Sequence, residues 1–149
     1  MHPLEAGRRL VLGGVEIAHE RGLAGHSDAD VLLHAISDAV LGAAGQGDIG
    51  LHFPPSDERW RDASSLDLLA RVVAIAQADG WSVVNVDATV IAERPRIAPH
   101  VPLMRRLIAA RLGVAEGDVG VKATTNERLG FLGREEGIAA MAVALLKRD

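Results

Sequence analysis

The sequence contains no cysteine and no tyrosine, and only 2 Phe and 2 Trp among 149 residues. Without thiols there are no disulfides, thiolate metal sites or cysteine nucleophiles, so a transition metal must be held by His, Asp or Glu. Aromatics at 3% leave little to stack on nucleobases, and the core must be built from Leu, Val, Ile and Ala. Basic residues are in the minority: 16 Lys+Arg face 20 Asp+Glu, and a formal net charge of −4 argues against a nucleic-acid partner. No uncharged apolar stretch reaches the roughly 18 to 20 residues of a membrane span, and no basic segment leads into an apolar one at the N-terminus. A soluble, untargeted chain without a membrane partner is expected.

What is present is an ordinary globular mixture, 48% hydrophobic and 24% charged. A chain of this length buries roughly 70% of its unfolded surface, which suits one domain. Arg9–Leu12 and Val15–Ala18 flank Gly13-Gly14, the pattern of a hairpin with a primed turn. Ser27 or Asp28 can cap a helix that carries Val31, Leu32, Ala35, Ile36, Ala39 and Val40 and stops near Gly45. Gly47–Arg61, rich in Gly, Pro, Asp and Ser, reads as a mobile functional loop. Ser64 or Ser65 starts a second helix that ends at Asp79-Gly80, and Ser82–Ala92 alternates as a strand. A third helix follows Pro99 and stops at Gly113; Val119–Ala123 is a short strand. Thr124–Glu136 is polar and glycine-punctuated, and Gly137–Leu146 reads as a buried last strand. The order predicts an α+β fold, a single mixed sheet with helices packed on one face. That two-layer sandwich leaves a sheet face to be covered, and self-association would cover it.

Several polar residues interrupt this pattern. Asp30, His34 and Asp38 fall at i, i+4 and i+8 of the first helix and form a polar stripe on an otherwise apolar element. A solvated face accounts for the aspartates, while His34 reads either as a core histidine or as a metal ligand with a carboxylate behind it. Asp48, before Ile49 and Gly50, can orient a substrate hydroxyl or terminate a turn. Lys122-Ala123-Thr124-Thr125-Asn126-Glu127 brings an ammonium, hydroxyls, backbone N–H groups and a carboxylate together, as a phosphate-handling turn does and as a capped turn also can. Arg134-Glu135-Glu136 is either an anion clamp or a solvated charged loop.

Taken in order, LGGV at 12–15, GHSDADVLLHAISDAVLGAAGQGDIG at 25–50, HFPPSD at 52–57 and VKATTNERLGFLGREEGIA at 121–139 closely resemble the 2-C-methyl-D-erythritol 2,4-cyclodiphosphate synthase family. The match runs over practically the whole chain. It implies a homotrimer with sheets facing inward and three active sites between neighbouring subunits. It also implies a cytoplasmic lyase of the non-mevalonate isoprenoid pathway. Its substrate, 4-diphosphocytidyl-2-C-methyl-D-erythritol 2-phosphate, closes on itself and expels CMP.

The resemblance carries over to individual positions. His2 and His34 match zinc ligands, and Glu127 matches the carboxylate that holds Mg²⁺ or Mn²⁺. Catalytic roles fall on His26, Ser27, Asp48 and Thr125. Cytidine and its phosphate would lie among Ala92, Arg96, Ile97, Ala98, Ala123, Thr124 and Thr125, and Lys122 would add positive charge to the substrate site. Ile49, Gly50, Phe53, Phe131 and Arg134 complete the substrate contacts, with Ser65 on a mobile loop beside them. The chain departs from the family at three points. The Asp expected two residues before His2 would precede Met1, as would a first strand; Pro55 and Met141 stand where acidic residues are common. The alternative to the enzyme is a metal-deficient trimeric scaffold that binds cytidine nucleotides without turnover.

Overall fold

The computed structural model describes residues 1–148. Its strands are β1 (His2–Ala6), β2 (Leu10–Leu12), β3 (Val15–Ile17), β4 (Arg21–Leu23), β5 (Trp81–Ile91), β6 (Val119–Thr124) and β7 (Gly137–Arg148). Its helices are α1 (Val31–Ala43), α2 (Ile49–His52), α3 (Ser65–Ala78), α4 (Val101–Leu112) and α5 (Gly130–Gly133), with short 3-10 turns between them. Asp149, the end of the expected domain, lies outside the described residues. Among the described residues, none of the helices is long and apolar enough to cross a membrane.

The main sheet has the order β4-β1-β7-β5-β6. Only the β5–β6 pair is parallel; β5–β7, β1–β7 and β1–β4 are antiparallel, so the sheet is mixed, as expected. The β2–β3 hairpin does not join it and forms a separate two-stranded ribbon, a correction to the single-sheet expectation. Gly13 and Gly14 both take positive φ, 58° and 77°, the condition for a primed turn. A Cβ on either would strike Met104 of α4 or Leu66 of α3 at under 3 Å, so the turn is also wedged between two helices. Strands β1 and β4, both short, had no sequence assignment because neither carries enough alternation to show.

The core lies between the sheet and α1, α3 and α4. Leu32, Leu33, Ile36, Val40 and Leu41 of α1 are fully buried and meet Leu69, Val72, Met104 and Ile108 from the other helices. Each such side chain contributes roughly 1.5–3 kcal/mol on burial. The first turn of α1 differs from expectation: the cap is Asp30, whose side chain accepts from Leu33 N–H, not Ser27 or Asp28. The segment Gly47–Arg61 is not wholly loop either, since α2 and a turn at Glu58–Trp60 interrupt it; α5 likewise interrupts Thr124–Glu136.

Strand β7 is buried only over Gly137–Ala139, which corrects the expectation of a buried last strand. Beyond Ala139 its side chains alternate: Ala140, Ala142 and Ala144 pack toward the core, while Met141, Val143 and Leu145 are 62%, 67% and 55% exposed. The period of two turns every second residue outward, and these outward residues are the large apolar ones.

Candidate active site

Two cavities collect most of the candidate residues. One, of about 260 Å³, is lined by His2, His26, Ser27, His34, Ile49, Gly50 and Phe53, together with Pro55, Trp60 and Leu68. The other, of about 600 Å³, is lined by Ala92, Arg96, Ile97, Ala98, Ala123, Thr124 and Thr125, together with His19, Glu93, Arg94 and Pro95. They share no lining residue. Three buried ring nitrogens at these walls, His26 Nε2, Trp60 Nε1 and His19 Nε2, have no hydrogen-bond partner among the described residues. A buried polar atom without a partner costs about 1–3 kcal/mol, and a polar ligand in the cavity would offset it.

At the smaller cavity, His2 of β1 and His34 of α1 meet with Nε2 and Nδ1 3.0 Å apart and their rings nearly perpendicular. His34 Nε2 lies 3.2 Å from Ser27 Oγ and 3.0 Å from Ser65 Oγ. Burial, and then the neighbouring His34, push the His2 imidazole down to about 4, and burial lowers His34 against the opposing pull of Asp28. Both rings are therefore neutral near pH 7, the form a metal requires. Zinc bonds of 2.0–2.1 Å in tetrahedral geometry set ligand nitrogens about 3.3 Å apart, so the two facing nitrogens fit two corners of such a site. Among the described residues, no set of three or more His, Asp or Glu side chains assembles to hold a metal.

The two aspartates of the stripe differ in role from His34 and from each other. Asp30 is fully buried and accepts from Gly13 N–H (3.0 Å), Gly14 N–H (2.7 Å) and Leu33 N–H (3.1 Å). It is a clasp between the ribbon and α1, not part of a solvated face. Asp38 accepts from Ile49 N–H at 2.8 Å and so anchors the start of α2 rather than contacting His34. Asp48 caps the same helix through Leu51 N–H, beside the cavity but not lining it.

At the larger cavity, the turn after β6 holds Glu127 and Arg128 at φ 51° and 60°, a strained arrangement for residues with side chains. Glu93 Oε1 accepts from Asn126 N–H (2.9 Å) and Arg128 N–H (3.2 Å) and so clamps that turn. The exposed Glu127 carboxylate has Thr125 Oγ1 donating to it at 3.4 Å. One exposed carboxylate fits Mg²⁺, which keeps waters and takes its other oxygens from phosphates.

Besides Asp48 and Glu127, four expected site residues line neither cavity, although Ser65 reaches His34 from behind the smaller one. Lys122 does not line the cavity; it pairs with Asp87 on the neighbouring strand, because residues two apart on β6 share a face. Arg134 is exposed and paired with Glu136 at 2.7 Å, and Phe131 faces a third pocket with Met1, His2 and Pro3. Ser65 is the first residue of α3 and 1% exposed, not part of a mobile loop, because Asp28 binds both its N–H and its hydroxyl. Sequence reasoning missed Glu93, the Asp28–Ser65 pairing and His19; a glutamate directly after a strand was the one available hint for Glu93.

Comparison with known proteins agrees with this fold. A relative from Symbiobacterium thermophilum named 2-C-methyl-D-erythritol 2,4-cyclodiphosphate synthase is 64% identical over 146 residues, 98% of this chain and 93% of its own length. The bifunctional IspDF of Campylobacter jejuni superposes with a TM-score of 0.95 at 40% identity; the match covers 99% of this chain and 40% of that longer one. IspF of Plasmodium falciparum, solved as a CDP complex, superposes with a TM-score of 0.86 at 31% identity over 99% of this chain and 91% of its own. The YgbB family model spans residues 1–147. With fold, motifs and relatives in agreement over nearly its entire length, this chain belongs to the YgbB family.

Proposed function

We propose that this chain cyclises 4-diphosphocytidyl-2-C-methyl-D-erythritol 2-phosphate to 2-C-methyl-D-erythritol 2,4-cyclodiphosphate with release of CMP, a cytoplasmic step of non-mevalonate isoprenoid precursor synthesis. The observation that carries the reading is the sorting of matching residues into two cavities, one around His2 and His34 and one around Thr124 and Thr125. The name of the Symbiobacterium relative and the CDP bound by the Plasmodium protein support it.

In the reaction an oxygen of the 2-phosphate attacks the β-phosphorus, and the bond from that phosphorus to the bridging oxygen of CMP breaks with its electron pair leaving on CMP. Both partners are anionic, so alignment and charge neutralisation dominate the barrier. Thr124, Thr125, Arg96 and the backbone around Ala92 and Ile97 would hold the CMP portion. His26 and Ser27, whose side chains line the smaller cavity, would donate to the attacking phosphate, and Asp48 would orient the erythritol hydroxyls. A transition metal held by His2 and His34, and Mg²⁺ or Mn²⁺ held by Glu127, would supply Lewis-acid neutralisation when bound.

A homotrimer belongs to the same reading. The exposed row Met141, Val143 and Leu145 supports self-association over the outer sheet face, and two cavities without a common residue suit a site completed by a neighbouring copy. The test is CMP release with Zn²⁺ and Mg²⁺ present, measured on this chain and on one extended by an Asp two residues ahead of His2. We expect CMP and cyclic diphosphate in equal amounts. Silence from both chains, with cytidine nucleotide still bound, would replace the enzyme with a nucleotide-binding scaffold.

A further inference from the structure

We propose that Asp28 and Ser65 are positioning residues that lock His34 as its Nε2–H tautomer, with the Nδ1 lone pair turned toward His2 and the metal position. The inference rests on the functional reading above for its purpose, but not for its geometry.

The argument is one of hydrogen-bond polarity. Asp28 joins the loop before α1 to the first residue of α3: one carboxylate oxygen accepts from Ser65 N–H at 2.9 Å, and the other accepts from the Ser65 hydroxyl and from Asp30 N–H at 3.2 Å. A carboxylate has no proton to give, so the Ser65 hydroxyl proton is committed to Asp28. Ser65 Oγ is also 3.0 Å from His34 Nε2. Two lone pairs at that distance repel, so the nitrogen must carry the hydrogen and donate it to Ser65. In a neutral imidazole Nδ1 then holds the lone pair, and Nδ1 is the atom that faces His2 Nε2 at 3.0 Å.

Ser27 fits the same polarity. Its Oγ sits 3.2 Å from His34 Nε2 and accepts from Ala29 N–H at 3.3 Å, so its own proton is released toward the cavity, where an anionic oxygen can take it. The two serines differ in kind: Ser65 is buried and its proton is spoken for, whereas Ser27 lines the cavity. Asp28 also supplies α3 with the side-chain cap that Ser64 does not make. The orienting carboxylate is thus held by a helix N-terminus and by its own Asx turn, and is rigid before any ligand arrives.

The experiment reads the tautomer directly. Long-range ¹H–¹⁵N correlation of the imidazoles, on the full chain with metals removed, is expected to show His34 protonated at Nε2. Ser65→Ala keeps the backbone N–H bond to Asp28 and so keeps the helix start. It is expected to give mixed His34 tautomers and zinc binding weakened about 10–100-fold in competition with a chromophoric chelator. Ser65→Thr, which restores the hydroxyl, should recover both. An Nδ1–H tautomer in the unaltered chain, or a folded Ser65→Ala variant with unchanged zinc affinity, would overturn the proposal. Failure of CMP release would count against the synthase reading alone, because the tautomer is read without substrate or metal.

Discussion

Asp30 offers a sharp test of how burial and hydrogen bonding divide in this fold. Its carboxyl is fully buried, and desolvation pushes its pKa up to about 7 although Gly14, Leu33 and Gly13 all donate to it. The unfolded chain ionises this group at 3.8, so between pH 4 and pH 7 the folded form holds a proton that the unfolded form has lost. Its contribution to stability is complete at low pH and disappears as pH rises through 7. At about 1.4 kcal/mol per pH unit, the loss over the window is about 4 kcal/mol. Asp30→Asn removes that slope. The amide oxygen can still accept from Gly13 and Leu33, but the amide nitrogen faces Gly14 N–H, donor to donor, at a pH-independent cost of about 1–3 kcal/mol. The two stability curves should therefore cross: the Asn variant is less stable near pH 4 and equal or more stable above pH 7. Asp30→Ala, which leaves all three N–H groups without their acceptor, should lie about 2–4 kcal/mol below the Asn variant throughout. Urea midpoints at fixed ionic strength from pH 4 to 8 give the answer. A constant gap between Asp and Asn would refute the reasoning and mean that three N–H bonds hold an ordinary carboxylate despite its burial.

Three further expectations follow from other parts of the molecule. Under the proposed self-association, Val143→Asp, which puts a charge on the exposed apolar row of β7, should give a smaller particle by light scattering with unchanged circular dichroism; an unchanged mass would refute self-association through that face. Gly133→Ala sets a Cβ 2.0 Å from the backbone carbon of Arg128, so the turn that carries Glu127 must shift. The Mg²⁺ concentration for half-maximal CMP release should rise at least several-fold, at a stability cost of about 1–3 kcal/mol, and an unmoved Mg²⁺ dependence would dissociate the turn from the metal. Finally, burial and His34 push His2 down to about 4, so in the metal-free chain its contribution to stability is present above pH 6.5 and lost as pH falls toward 4. Metal-free His2→Gln should flatten that acid limb of the unfolding curve, and an identical limb would mean that His2 is solvated.

What the sequence disclosed depended on how local the determining interaction is. Gly13-Gly14 requires its primed turn within four residues, and the Gly113 stop of α4 lies one residue past the last turn; both were legible. The sequence places β5 and β6 to within one residue at each end, and α3 follows from its serine start and its Asp79-Gly80 stop. Strands β1 and β4 were not legible, because each is defined by partners far along the chain: Leu4 pairs with Leu23 and His2 with Ile138. The cap of α1 was misassigned for a related reason. Ser27, Asp28 and Asp30 are all good caps locally; Asp30 caps α1, whereas Asp28 is bound to Ser65, 37 residues away. Candidate site residues became visible as a motif through resemblance, whereas Lys122, identical in type to a phosphate ligand, is paired with Asp87 of a neighbouring strand that no local reading could supply.

The carboxylates of the conspicuous motif are divided by burial, and the division explains why so many of them stand near one site. Asp28, Asp30 and Glu93 each accept backbone N–H groups from segments distant in sequence, tying loop to helix, ribbon to helix and strand to turn. Backbone N–H groups with no ladder partner must find acceptors, and a carboxylate can satisfy two or three at once where a neutral side chain satisfies fewer. Glu127 has a different position: exposed, in a left-handed conformation that costs of order 1–3 kcal/mol, and held there by the Glu93 clamp on either side of it. Asp62 and Glu135 share this backbone at φ 55° and 58°, so what sets Glu127 apart is the clamp: Glu93 anchors the turn at Asn126 and Arg128 and leaves the Glu127 carboxylate exposed, the position the proposed Mg²⁺ requires. On this argument Glu93→Ala should raise the Mg²⁺ concentration for half-maximal CMP release, in the same direction as Gly133→Ala, through loosening rather than displacement of the same turn.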